Sequence, residues 1–164
     1  MKKLIFTLCL ILTAGLLYGQ ENDHDNNEYK KMSNSEDVEA VKEVLKSYKN
    51  ALENLDVSDT QKLFSKNADI FESGSYEGTY QDYLDHHIGP ELGHFKEFTF
   101  SDYKVDVRME GNIAVAYETY NYKIVTSEED SRTINRQGVA TSVLKKMDGT
   151  WKIIQQHGSS RAAK

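Results

Sequence analysis

The spacing of the apolar residues changes near Lys96, and this change constrains the fold more than any other feature of the sequence. Before Lys96 the apolar residues recur every three or four positions, which is typical of amphipathic helices. After it they alternate with polar residues, which is typical of strands with one buried face. A run of helices followed by a run of strands predicts an α+β domain.

The first helix is predicted by one continuous apolar stripe. Ser33-x-x-Glu36 can form a capping box just ahead of that stripe. A second box, Ser58-x-x-Gln61, predicts a short helix, and a short strand is expected over 68–72. The stripe consists of Val38, Val41, Leu45, Tyr48, Leu52 and Leu55.

A third helix is predicted over 80–88. Thr79 is suited to cap it, and Asp82 three residues later is suited to complete the cap. Gly89-Pro90 is expected to interrupt this helix, because both residues disfavour a helix interior.

The strand-forming half contains signals for a bulge and for a turn. The alternation changes phase inside the first long strand, which predicts a β-bulge near Ser101-Asp102. Asp148-Gly149 is a strong signal for a hairpin turn. The later strands are expected over 113–126, 132–147 and 151–157.

The lengths of these strands predict a bent sheet. A straight strand of sixteen residues would span about 53 Å, which exceeds the size of a domain this short. We therefore expect an α+β fold in which a cone-shaped, curved antiparallel β-sheet wraps around the N-terminal helices. Helices on the concave side would leave a pocket between themselves and the sheet.

The N-terminus has the layout of a secretory signal peptide. Two lysines precede an apolar run over 4–17, and a small residue and polar residues follow it. This predicts a signal peptide over 1–19, a flexible polar tail over 20–35 and a single domain over 36–161, exported to the periplasm or the extracellular space. A buried core helix and an uncleaved membrane anchor remain alternatives for the apolar run.

The charge of the chain excludes some partners. A formal net charge of −6 without an extended basic run disfavours nucleic acid. The single cysteine, Cys9, lies inside the predicted signal peptide, so the mature chain would contain neither a disulfide nor a thiol nucleophile. We expect a mature protein that is not embedded in a membrane.

Two segments carry a family resemblance: YEGTYQDYLDHHIGPEL over 76–92 and GVATSVLKKMDGTWKIIQQHGSSR over 138–161. Together with the order of elements, they resemble the nuclear transport factor 2-like superfamily, and within it the SnoaL-like proteins, many of them exported bacterial proteins. The resemblance implies a cone-shaped α+β roll, usually dimeric, with one open pocket. It does not imply one chemistry, because relatives include isomerases, cyclases, dehydratases and binding domains.

The last strand supplies two polar candidates for the pocket. Strict alternation would place Gln155 and His157 on the same face as the apolar Trp151 and Ile153. Polar groups on such a face need hydrogen-bond partners or a wet cavity. Their expected neighbours across the hairpin include the small Ala140, which would leave space there. We therefore predict that Gln155 and His157 line the pocket; a structural histidine is the alternative.

His87 is the second histidine of interest. It shares a helical stripe with Tyr80 and Tyr83, which predicts that its side chain points inward. A zinc or copper site that combines His87 with His157 and His94 is an alternative, but such a site needs three or four ligands. We predict no metal and no cofactor.

Other polar residues carry weaker signals. Arg161 follows the last strand and would suit a small anion at the pocket mouth, or it would form a salt bridge that holds the C-terminus. Alternation predicts that Asp69, Asp106 and Glu118 are exposed, which leaves Glu72 as the best carboxylate for the pocket.

Three functions follow from this sequence. The first is binding of an unidentified small, partly apolar molecule. The second is acid–base catalysis (isomerase, cyclase, dehydratase or hydrolase) with His87 or His157 as the proton carrier. The third is a structural or interaction module, and a homodimer is expected in each case. The predicted ligand-binding residues are Tyr48, Tyr83, His87, Gln155, His157 and Arg161.

Overall fold

The computed structural model describes residues 23–127 and 131–163, and the side chains from residue 34 onward. The predicted signal peptide lies outside these residues. Helix α1 spans Asp23–Glu53. It thus extends into the stretch that the sequence predicted as a polar tail, where the few apolar residues give no periodic signal. Ser33 lies inside α1, so the predicted cap at Ser33 is wrong.

The predicted stripe of α1 is the buried face of this helix. Val41 is 0% and Leu45 1% exposed, and Tyr48 and Leu52 are also buried. A short 3-10 helix follows at Thr60–Leu63, without a cap from a side chain. Strand β1 then begins at Phe64, four residues earlier than the sequence predicted, and ends at Glu72.

The third predicted helix has three parts. The capping box of Thr79 and Asp82 is confirmed at the start of α2, Tyr80–Tyr83. A π-helical turn follows over Leu84–Ile88, and α3 spans Gly89–Leu92. Gly89-Pro90 therefore does not end the helical path: Gly89 N donates across the wider π turn to the carbonyl of Leu84.

The sheet has six strands and is curved but not closed. Its order is β2-β1-β6-β5-β4-β3, and each pair is antiparallel except β1 with β6, which is parallel. The predicted α+β class is confirmed. The strands are β1 (Phe64–Glu72), β2 (Ser75–Thr79), β3 (Phe95–Glu110), β4 (Ile113–Thr126), β5 (Thr133–Met147) and β6 (Thr150–Ala162).

Two bulges decide which side chains face α1. The predicted bulge in β3 is confirmed: the register shifts between Ser101 and Lys104, and Asp102 has φ 52. A second bulge, in β6, was not predicted. Ile153 pairs with Leu144 and Gln155 with Val143, so Ile154 is the extra residue. Beyond it, every β6 side chain lies on the face opposite to the one that strict alternation predicts.

The core lies between α1, the short helices and the concave face of the sheet. On the sheet, β4 contributes small side chains to the core, the fully buried Ala114 and Ala116. Strand β6 contributes the larger Trp151 and Ile153. Trp151 Nε1 donates to Asp37 Oδ1 on α1 at 2.9 Å. This contact ties the start of the described α1 side chains to the β5–β6 hairpin.

Candidate functional site

The concave face of the sheet and the helices enclose a cavity of about 150 Å³ that opens to solvent. A cavity of roughly this volume holds a single aromatic ring. One wall is aromatic, since β3 contributes Phe98 and Phe100 and β4 contributes Tyr120 and Tyr122. Helix α1 contributes Tyr48, Lys49 and Leu52 to the other side.

Small residues of β5 and β6 leave the space that the cavity occupies. Ala140 and Gly158 lie opposite each other across the strand pair, and both line the cavity. A Cβ added at Gly158 would meet no atom within 4 Å. Ala140 is one of the small residues that the sequence expected to leave space beside His157, but its partner on the cavity side is Gly158, and His157 pairs with Thr141.

A buried ion pair lies beside the cavity. Lys49 Nζ is 2.9 Å from Glu118 Oε1, and the two side chains are 9% and 0% exposed. Glu118 also accepts hydrogen bonds from Tyr103 at 3.0 Å and from Ser142 at 3.4 Å. Gln156, which lines the cavity, donates to Ser142 at 3.2 Å. Such a network fixes the position of each member, because every bond constrains the next.

The prediction that Glu118 is exposed is therefore wrong. The sequence suggested that Val115, Tyr117 and Thr119 form the buried face of β4, because they look more apolar than their neighbours. The structure buries the opposite face, which has small alanines against α1, and leaves Tyr117 42% exposed. The predictions that Asp69 and Asp106 are exposed are confirmed.

Glu72 lines the cavity near its mouth. Tyr83 Oη donates to Glu72 Oε2 at 2.7 Å. Burial raises the pKa of Tyr83 well above its ordinary value, and the nearby Tyr48 and Glu72 add to this shift. The Tyr83 hydroxyl therefore stays protonated at neutral pH and remains a hydrogen-bond donor to the carboxylate.

His87 is surrounded by carboxylates from three elements. Its Nδ1 is 3.0 Å from Glu77 of β2, and its Nε2 is 3.5 Å from Glu91 of α3 and 3.9 Å from Glu72 of β1. Burial lowers the pKa of His87, but the hydrogen bond to Glu77 and the charges of Glu91 and Glu72 outweigh this effect and leave the pKa raised. Burial raises the pKa of Glu91.

The structure brings some of the predicted site residues together and separates others. Tyr48 and Tyr83 lie on the cavity wall, and His87 contacts two carboxylates that line it. Gln155 and His157 do not line the cavity: the bulge at Ile154 turns both to the convex face, where they are exposed.

Arg161 also lies away from the cavity. Its guanidinium donates to Gln137 Oε1 at 2.8 Å and 3.2 Å, and it lines a second pocket, of about 330 Å³, on the convex face. Its predicted place at the pocket mouth is therefore wrong, again because β6 changes phase at the bulge.

Sequence reasoning missed several residues that line the cavity, among them Lys49, Gln156, Gly158 and Ser160. The available signal for Lys49 was its spacing, since it lies four residues after Leu45 and three before Leu52 and so shares a helix face with both. Within the described residues, no group of three or more His, Cys, Asp or Glu side chains has an arrangement that could hold a metal ion. No helix in the described part of the chain has the length and apolar composition needed to span a membrane.

A curved, open sheet packed against helices, with a partly aromatic cavity between them, defines a class of α+β folds. Residues 41–163 match the model of the SnoaL-like domain family. The chain belongs to that family, and thus to the nuclear transport factor 2-like superfamily. Comparison with curated protein sequences gives no match.

Solved structures with the same fold differ widely in sequence. A nuclear transport factor 2-like superfamily protein from Salmonella enterica is 20% identical, with a TM-score of 0.67 over 75% of this chain and 89% of that one. A candidate dehydratase from Streptomyces avermitilis is 18% identical, with a TM-score of 0.68 over 79% and 99%. A candidate ketosteroid isomerase from Shewanella frigidimarina is 25% identical, with a TM-score of 0.60 over 73% and 94%.

Proposed function

We propose that this protein binds a small, partly apolar molecule in the cavity between α1 and the concave face of the sheet. The observation that carries the proposal is a space of about 150 Å³ that Gly158 leaves unfilled and that aromatic side chains enclose. Strand interiors disfavour glycine, so a glycine that leaves an internal space costs stability and is best explained by occupancy. Pockets of this kind combine apolar walls with a few fixed polar groups.

Titration of the domain with acetophenone, followed by two-dimensional NMR, tests this proposal. Acetophenone has one aromatic ring and one polar atom, which suits a cavity of this size and lining. We expect saturable shifts of the backbone amides of Tyr120, Tyr122, Ala140 and Gly158. Absence of saturable shifts up to the solubility limit, or shifts confined to the convex face, would contradict the proposal.

Acid–base catalysis in the same cavity is a second candidate function, and the contact between Tyr83 and Glu72 favours it. The hydrogen bond from Tyr83 fixes the position of the Glu72 carboxylate in the cavity wall, where a general base must lie to reach a bound molecule. Of the two predicted proton carriers, His87 lies beside Glu72, whereas His157 is on the other face of the sheet. Candidate dehydratase and isomerase relatives of the same fold are consistent with this alternative.

Deuterium exchange distinguishes catalysis from binding alone. In D₂O, a general base would remove a methyl proton of acetophenone, and the resulting enolate would take up a deuteron from solvent. We expect an enzyme to accelerate loss of the methyl signal and Glu72→Gln to abolish the acceleration. A protein that binds acetophenone without accelerating exchange would be a binder of this probe and would not catalyse its enolisation.

We also propose that the protein is exported and forms a homodimer. The layout of residues 1–19 supports export to the periplasm or the extracellular space. Tyr117 and Val139, 42% and 49% exposed on the convex face, support a contact between two copies there. Fractionation of cells expressing the full chain tests export: the expected result is a shortened protein outside the cytoplasm, and a full-length protein inside it would contradict the proposal.

A further inference from the structure

The buried ammonium of Lys49 is the one cationic group that lines the cavity among the described residues. Its Nζ has three N–H donors, of which one is directed to Glu118 at 2.9 Å. Three ring faces also surround this ammonium: the centroids of Tyr120, Phe100 and Tyr103 lie at 4.3, 5.1 and 5.4 Å from Nζ. A ring face stabilises a cation but does not replace a strong oxygen acceptor.

We propose that Lys49 selects the ligand of this cavity by donating a hydrogen bond to a neutral acceptor oxygen, such as the carbonyl oxygen of an aryl ketone. This inference rests on the proposed binding function and specifies its ligand class. The aromatic wall holds the ring of the ligand, and the carbonyl oxygen becomes the second oxygen partner of the Lys49 ammonium.

The charges around the cavity favour a neutral ligand over an anion. Glu118 neutralises Lys49 at close range, so the pair has no net charge to offer a carboxylate. Two further carboxylates, Glu72 and Glu91, line the same cavity, with His87 beside them. An anionic ligand would add a negative charge to this set, and Coulomb repulsion in a partly buried site is larger than in water.

Three probes of similar shape test the proposal: acetophenone, ethylbenzene and benzoate. Ethylbenzene lacks the acceptor oxygen, and benzoate adds a charge. We expect acetophenone to bind about tenfold more tightly than ethylbenzene, the effect of one hydrogen bond to a charged donor. We expect benzoate to bind more weakly than acetophenone at neutral pH.

The matched variant is Lys49→Met combined with Glu118→Gln. The second substitution is needed because removal of Lys49 alone would leave a buried carboxylate without its cation. In the double variant, acetophenone and ethylbenzene should bind with equal affinity. An unchanged tenfold preference in this variant would overturn the proposal.

A measurement on the wild-type protein keeps the test valid if the double variant does not fold. The side-chain Cε and Nζ resonances of Lys49 should shift on addition of acetophenone and remain unchanged with ethylbenzene. If both probes bind equally and Lys49 does not respond to either, the role of Lys49 is overturned while the binding function stands. If neither probe binds, both proposals are overturned.

Discussion

Ion pairs with three carboxylates hold His87 in place, and its contribution to the stability of the fold therefore depends on pH. The imidazole links the carboxylates of Glu77, Glu91 and Glu72, which belong to three different elements. Protonated His87 attracts all three, whereas neutral His87 leaves them to repel one another. The histidine therefore stabilises the join between the β1–β2 hairpin and the helical segment over 80–92 more strongly when it is positively charged, since the neutral imidazole can keep only the hydrogen bond to Glu77.

The substitution His87→Gln tests this role. The pKa of His87 is raised in the folded protein, so its stabilising contribution is fully present below the ordinary value of 6.5 and is lost as the pH rises through the folded pKa. Wild type should exceed the variant in Tm by about 1–3 °C at pH 5.5. This difference should shrink at pH 8.5. His157→Gln, on the convex face, serves as the control for loss of an imidazole.

Thermal unfolding monitored by circular dichroism at both pH values gives the measurement. A difference in Tm between wild type and His87→Gln that grows towards pH 8.5 would contradict the proposed linkage.

The positions of some individual residues were predictable from the sequence, and those of others were not. The place of Tyr83 was predictable because its stripe is periodic. The burial of Glu118 was not predictable from the alternation of β4, because both faces of that strand contain apolar residues. Which face is buried depends on how closely α1 approaches the sheet, and the alanines of β4 permit a close approach that the larger Val115 and Tyr117 would not.

At the scale of elements, bulges and turns position the site. The β3 bulge was predictable because apolar residues on both sides of it reveal the change in phase. The β6 bulge was hidden because Ile154, the extra residue, is itself apolar and continues an apolar run. This single residue decides that Gln156 and Gly158, and not Gln155 and His157, face the cavity.

The π turn before α3 depends on glycine at position 89. A Cβ there would clash with the backbone carbonyl of Leu84. We expect Gly89→Ala to destabilise the protein by about 1–3 kcal/mol, the usual cost of forcing an extra group into a packed site. Urea denaturation provides the free energy of unfolding. Gly158→Ala, where the added Cβ meets no atom within 4 Å, is the matched control; equal stabilities of the two variants would contradict the steric argument.

Asp37 connects α1 to the β5–β6 hairpin. It accepts from Lys146 at 2.6 Å and from Trp151 at 2.9 Å. Asp37→Ala should lower the free energy of unfolding by roughly 1–2 kcal/mol, since it removes two hydrogen bonds. Glu39→Ala, which removes an exposed ion pair within α1, should have a much smaller effect.

The effect of Asp37→Ala should also depend on pH. The hydrogen bonds from Lys146 and Trp151 hold the pKa of Asp37 below its ordinary value of 3.8. The contribution of the carboxylate is therefore present at neutral pH and is lost as the pH falls through the folded pKa. Urea denaturation at neutral and acidic pH would contradict the account if the variant and the wild type differed more in acid.

At the scale of the whole molecule, the two faces of the sheet have different roles. The concave face packs on α1 and leaves the cavity, while the convex face exposes Tyr117 and Val139. If two copies meet on the convex face, Val139→Lys should convert a dimer into a monomer without loss of the fold, because a charge would be buried in the contact. Analytical ultracentrifugation measures the mass, and a dimer that persists in this variant would contradict the proposed contact.

The central claim is that the space beside Gly158 exists to hold a ligand, and one comparison tests it most directly. Gly158→Val would place a branched side chain in that space and would also favour the strand, since valine suits a strand interior better than glycine. We predict that this variant has a Tm equal to or above that of wild type and no longer binds acetophenone, whereas His157→Val on the convex face still binds it. Undiminished binding by Gly158→Val, or a folded structure that tolerates valine only with a large loss of stability, would contradict the account.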